Sequence, residues 1–117
     1  GQDPLHILGS GNQIRCYTNG KDIARGIRMA LFSEKAVNED FNISTPTATT
    51  VLELAKKIWK VLKPSQPFEY VSEKPYAYDV QKRIPDTSKA ERLLNFKSEV
   101  TLEESIEEVI AFMRREE

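Results

Sequence analysis

The stretch Leu8-Gly-Ser-Gly-Asn-Gln-Ile-Arg15-Cys-Tyr-Thr-Asn-Gly-Lys-Asp22-Ile-Ala24 decides how the rest of the chain is read. It holds a glycine-rich turn, a lone arginine on a short extended segment, and an aspartate seven residues later that opens an apolar-striped helix. Leu5 to Leu8 and Gln13 to Thr18 read as extended pieces, and a hairpin closed by Gly9-Ser-Gly11-Asn12 is the expected pairing. On the other side, helix signals begin near Lys21. Ile23, Ala24, Ile27, Ala30 and Leu31 follow the i, i+1, i+4, i+7, i+8 spacing of one helical face, with Arg25 and Arg28 off it.

Further along, Phe41 to Ser44 reads as a short strand. Thr50 and Glu53 have capping-box spacing, in which each side chain satisfies an open N–H of a helix's first turn. Val51, Leu54, Ala55, Ile58 and Leu62 then form an apolar stripe, widened by Leu52 and Trp59, until Pro64 ends the helix. Phe68 to Val71 reads as a strand. Glu73 to Pro85 carries two prolines and little periodicity, which predicts an ordered loop. Asp86 is the expected N-cap of a short helix ending near Leu94, where Asn95 suits the left-handed stop position. Thr101 and Glu104 repeat the capping-box spacing ahead of a stripe of Leu102, Ile106, Val109, Ile110 and Met113. Acidic residues sit early in that last helix and Arg114 and Arg115 late, which complements the helix dipole.

A chain of 117 residues with 39% hydrophobic and 30% charged residues suits one small globular domain. Gly1-Gln-Asp-Pro4 reads as a tag or linker, and residues 5–117 as the domain. Seventeen basic residues nearly balance eighteen acidic ones, which gives no electrostatic basis for nucleic acid or an anionic membrane as partner. Cys16 is the single cysteine, so a disulfide within the chain is impossible, and a reducing, cytoplasmic setting is expected. No apolar run approaches the roughly 18 residues that span a bilayer.

Arg15 is the best single candidate for a functional residue. A guanidinium pairs with phosphate through two parallel hydrogen bonds and stays charged at any relevant pH. The commoner use of such a residue is a surface salt bridge. Lys82-Arg83 is a second candidate, with Asp79 and Asp86 as groups that could orient these cations. Gly9-Ser-Gly11 lacks the third glycine of a dinucleotide fingerprint, because Ile14 occupies that position. Tyr17 with Lys21, and Tyr70 with Lys74, both spell Tyr-x-x-x-Lys, yet neither falls on one helical face as a catalytic pair requires. No catalytic residue is therefore assigned. His6 has no metal-ligand spacing around it and reads as structural, so no metal is expected. Cys16 reads as a small packed residue and Trp59 as core.

Four segments, in order, resemble the extended short-chain dehydrogenase/reductases, the NAD-dependent nucleotide-sugar epimerases and dehydratases. They are Gly9-x-Gly11-x-Gln13-x-Arg15 with Asp22-Ile-Ala24; Phe41-Asn42-Ile43 followed by Thr50 to Ala55; Lys74-Pro75 with Asp79; and Arg83-Ile-Pro-Asp86-Thr-Ser-Lys89-Ala90 followed by Leu93-Leu94-Asn95-Phe96. Lys74 stands where the family commonly has Arg, and Asn95-Phe96 replaces a usual Gly-Trp. The resemblance implies an α+β fold of about four helices and a few short strands, the C-terminal lobe without its Rossmann domain. It implies a nucleotide-sugar-binding part that is not catalytic by itself, with Arg15, Lys74, Asp79 and Arg83 as substrate-binding residues. NAD, the catalytic Tyr and the Lys would belong to the missing N-terminal Rossmann domain, leaving no cofactor in this chain. The other implied partners are the nucleotide-sugar substrate and a second copy of the chain in a homo-oligomer. The alternatives are a stand-alone, non-catalytic binding module with the same fold, and an unrelated small helical domain.

Overall fold

The computed structural model describes residues 4–116. The expectation for the first three residues therefore lies outside the described residues. In chain order the elements are β1 (Leu5–Leu8), β2 (Ile14–Arg15), α1 (Gly20–Leu31), a 3₁₀ turn (Glu34–Ala36), β3 (Thr49–Thr50), α2 (Val51–Leu62), β4 (Tyr70–Glu73), α3 (Ser88–Leu94) and α4 (Leu102–Arg115). The chain forms two compact units that interleave in sequence. One contains the segment up to Arg15 and Ala48–Ile84; the other contains Cys16–Thr47 and the segment from Pro85 onward.

The first unit is built on two small sheets. β1 pairs in parallel with β4, from Leu5 opposite Tyr70 to Leu8 opposite Glu73. β2 pairs antiparallel with β3, Ile14 opposite Thr50 and Arg15 opposite Thr49. The hairpin expected between β1 and β2 is not formed. Gly9 and Gly11 take φ of 77° and 79°, a left-handed path open to glycine, and carry the chain from one sheet to the other. The carbonyls beyond the turn are also taken. Gly11 accepts from the Leu52 N–H at 2.9 Å and Gln13 from the Val51 N–H at 3.0 Å, which ties the turn to the first turn of α2.

α2 begins at the expected cap, the Thr50 hydroxyl accepting from the Glu53 N–H at 3.0 Å, but only this half of the expected capping box is formed. Its stripe packs inward at Ala55 and Trp59, which form the core of this unit with Ile7. Burying an indole strands its N–H, and here Trp59 Nε1 donates to the Gln66 carbonyl at 3.1 Å, beyond the helix end at Leu62. Phe68 meets the Trp59 ring edge-on at 5.7 Å and stacks on Tyr70 at 5.6 Å.

The second unit is helical, with a core of Ala90, Leu94 and Phe96 flanked by Met29, Ala30, Ala36, Phe41 and Ile43. The strand expected at Phe41 to Ser44 is absent. This segment is irregular; it anchors through the Phe41 and Ile43 side chains and through Asn42 Nδ2, which donates to the Asp86 carbonyl at 3.2 Å. Asn19 caps α1, its side chain accepting from the Lys21 N–H at 2.8 Å. Thr87, not Asp86, takes the N-cap position of α3, and the Asp86 carboxylate accepts from the Ser88 N–H at 2.9 Å. Asn95 stops that helix at φ 55°, in the left-handed region as expected. Both halves of the Thr101–Glu104 capping box are formed at the start of α4.

Asp22 does not cap α1; it clamps it. The residue is 2% exposed. Both carboxylate oxygens accept from the Glu99 N–H at 3.1 Å, one also accepts from the Val100 N–H at 3.0 Å, and Arg25 donates to the other at 3.1 Å. Burial pushes this carboxyl up, but the two backbone donors and the guanidinium outweigh it and hold the group below its ordinary value. One turn on, Gly26 sits against Ile43 so closely that a Cβ there would stand 2.4 Å from Ile43 Cγ2. α1 thus packs through Asp22, Gly26, Met29 and Ala30, and the rest of its apolar stripe turns outward. Ile27 is 59% exposed, Leu31 75% and the following Phe32 78%. No helix among the described residues is long and apolar enough to cross a membrane.

Candidate functional site

The arginine and aspartate singled out in the sequence meet in the first unit. Strand pairing with Thr49 fixes the backbone of Arg15. Its NH1 donates to the Ile14 carbonyl at 2.8 Å and its NH2 to Asp79 Oδ1 at 3.3 Å. The two side chains are about three-quarters buried, with 23% and 21% of their surface exposed. They stand in the wall of a cavity of about 430 Å³ that is otherwise mostly apolar, lined by β1, by one face of α2 and by Tyr76. A guanidinium has more N–H groups than these two contacts use, so Arg15 retains donors for a ligand while Asp79 fixes its orientation.

The sequence did not single out Gln13 as a site residue. It is 5% exposed, and its Nε2 donates both to the Leu8 carbonyl at 3.0 Å and to Asp79 Oδ2 at 2.8 Å. The signal was present: Gln13 lies two residues before Arg15, and residues two apart on an extended segment share a face. Asp79 consequently orients Arg15, not the Lys82-Arg83 pair.

Lys74 and Arg83 are placed differently. Arg83 reaches β2 through its backbone, its N–H donating to the Ile14 carbonyl at 3.0 Å, with its side chain exposed. Lys74 follows β4 on an exposed loop. Neither side chain is part of the cavity lining. His6, expected to be structural, lines the cavity and pairs with Glu73. The two Tyr-x-x-x-Lys matches fall apart. Tyr17 is outside the regular elements while Lys21 lies in α1, paired with Glu108 at 2.7 Å, and Tyr70 lies in a strand with Lys74 beyond it.

The same geometry bears on a dinucleotide. Pyrophosphate sites of that type use a glycine turn opening directly into a helix N-terminus. Here the Gly9–Gly11 turn leads into β2, and the first N–H groups of α2 are spent on Gly11, Gln13 and Thr50. The turn and the start of α2 thus lack the arrangement of a pyrophosphate site of that type, and Arg15 places a guanidinium in the cavity wall.

Comparison with known proteins places this arrangement. The family model described as GDP-mannose 4,6 dehydratase matches residues 1–109. The chain belongs to the nucleotide-sugar epimerases and dehydratases of the extended short-chain dehydrogenase/reductase family. It is 34% identical over 112 residues to UDP-glucuronic acid decarboxylase 1 of Arabidopsis thaliana, covering 95% of this chain and 25% of that protein. It is 35% identical over 115 residues to a putative UDP-glucose 4-epimerase of Methanocaldococcus jannaschii, covering 97% and 35%. Among solved structures, UDP-glucose 4-epimerase of Thermotoga maritima with UDP-glucose superposes with a TM-score of 0.83 at 31% identity, over 96% of this chain and 35% of that one. UDP-glucuronic acid 4-epimerase of Bacillus cereus, in complex with UDP-glucuronic acid and NAD, gives 0.85 at 25% identity, over 97% and 36%. The chain thus spans a quarter to about a third of the length of these relatives, and the fold is their C-terminal part.

Proposed function

We propose that this chain is the substrate-binding part of an NAD-dependent nucleotide-sugar epimerase or dehydratase, with Arg15 as the group that takes the nucleotide diphosphate. The observation that carries the reading is the Arg15–Asp79 pair, oriented and partly buried in the wall of an apolar cavity large enough for part of a nucleotide. Asp79 acts by holding Arg15. Lys74 and Arg83, outside the cavity lining, add positive charge on nearby chain segments. NAD and the groups that act on the sugar belong to an N-terminal Rossmann domain of the complete enzyme, and this part supplies orientation. The outward apolar stripe of α1 is the surface which that domain covers, since the relatives are three to four times the length of this chain. Left uncovered, the stripe drives self-association. A reducing cytoplasmic setting fits the lone thiol of Cys16, whose pKa burial pushes up.

The test is Arg15→Ala in the complete enzyme. A charge-assisted hydrogen bond is worth roughly 1.5–3 kcal/mol, so affinity for the nucleotide sugar should fall by on the order of 10- to 100-fold. Folding stability should change by no more than about 1 kcal/mol. Unchanged affinity would return Arg15 to the role of a structural ion pair.

A further inference from the structure

Gln13 is an odd residue to bury. Its carboxamide has one reading only. If the amide were turned over, Oε1 would face two acceptors, the Leu8 carbonyl and the Asp79 carboxylate, so Nε2 must point at both. That leaves Oε1 buried without a hydrogen-bond partner among the described residues. An unpaired buried acceptor is a net cost to folding. An apolar side chain of the same size would avoid it, so the role of Gln13 is to be sought in what its Nε2 holds.

Besides the Leu8 carbonyl, it holds one oxygen of Asp79. The other oxygen, Oδ1, contacts Arg15 NH2 at 3.3 Å, a single and long contact. Carboxylate and guanidinium prefer a paired arrangement in which two N–H groups meet two oxygens. With Oδ2 held at 2.8 Å by Gln13, turning Asp79 to meet Arg15 with both oxygens would compete with that hydrogen bond. The N–H groups that a closed pair would consume stay available at the cavity wall.

We infer that Gln13 is a positioning residue: by engaging Asp79 Oδ2, it stops Asp79 from sequestering Arg15, and so keeps the guanidinium open to the diphosphate of a nucleotide sugar. This rests on the diphosphate role proposed for Arg15. The experiment compares Gln13→Met, Gln13→Met with Asp79→Asn, and Arg15→Ala in the complete enzyme, reading UDP affinity by calorimetry and stability by thermal melting. Gln13→Met keeps the volume and removes both the donor and the orphaned oxygen, so it should melt within a few degrees of the parent. Its UDP affinity should fall about five- to tenfold. Adding Asp79→Asn keeps one oxygen to hold Arg15 but removes the second, so the closed pair cannot form, and most of that loss should be restored, which a purely structural role for Gln13 would not produce. If Arg15→Ala weakens UDP binding but Gln13→Met does not, or if the double substitution gives no recovery, the Gln13 inference is overturned while the role of Arg15 stands. If Arg15→Ala itself leaves UDP affinity unchanged, both fall.

Discussion

Each unit contains an aspartate turned away from solvent next to an arginine, and the two are used differently. In the helical unit, Asp22 is saturated by the backbone N–H groups of Glu99 and Val100, with Arg25 completing its shell. In the sheet-containing unit, Asp79 is held by the side chains of Gln13 and Arg15 and keeps about a fifth of its surface exposed beside a cavity. A carboxylate consumed by main-chain donors has nothing left for a ligand and fixes the fold. A carboxylate held by side chains at a cavity wall can orient a neighbour whose remaining donors face outward. The partners, more than the burial, separate the clamp from the site.

The comparison is broken most easily by deleting each carboxylate. Asp22→Ala removes the acceptor of two backbone N–H groups and one of several partners of Arg25, and should cost about 3 kcal/mol in chemical denaturation. Asp79→Ala should cost only about 1 kcal/mol, because Arg15 is partly exposed and Gln13 Nε2 keeps the Leu8 carbonyl as an acceptor. Equal costs would erase the distinction. The Asp22 term also has a pH signature. Its carboxyl is held below the ordinary value, so its stabilisation is complete above the ordinary carboxylate range. It is lost as the pH falls through the lowered value, and Asp22→Ala should flatten the acid limb of the stability curve. The smallest stability effect is expected on the outer face of α1. Ile27→Glu should change stability by less than about 0.5 kcal/mol, yet reduce self-association in sedimentation of the isolated chain. A large loss of stability would mean that the stripe is packed, not outward.

Much of this was legible in the sequence. Caps at Thr50 and Thr101 and the stop at Asn95 depend on residues within one helical turn, and each stands where its chemistry places it. The family motifs were legible too, although many of their residues serve packing: Ala90, Leu94 and Phe96 are the core, and Lys89 bridges Glu39 and Asp40. The hairpin failed because strand pairing is a non-local choice. β1 found its partner sixty-five residues away, and alternation along the chain carries no record of that. The strand at Phe41 failed because two apolar anchors flanking an Asn look like alternation whether or not a ladder forms. For the site, Arg15 and Asp79 were both visible as residue types, but their pairing across 64 positions was not. The inward packing of α1 was hidden for a different reason: its closest contact is made by Gly26, which has no side chain to contribute to a stripe.

The central claim is that the Arg15 guanidinium takes the diphosphate while Asp79 holds it in place. A crystal structure of the complete enzyme with UDP bound tests it most directly. The account predicts a diphosphate oxygen about 2.7–2.9 Å from a guanidinium nitrogen of Arg15, with the Asp79 contact retained and Gln13 still on Asp79 Oδ2. A diphosphate bound elsewhere, with Arg15 touching only Asp79 and the Ile14 carbonyl, would contradict it.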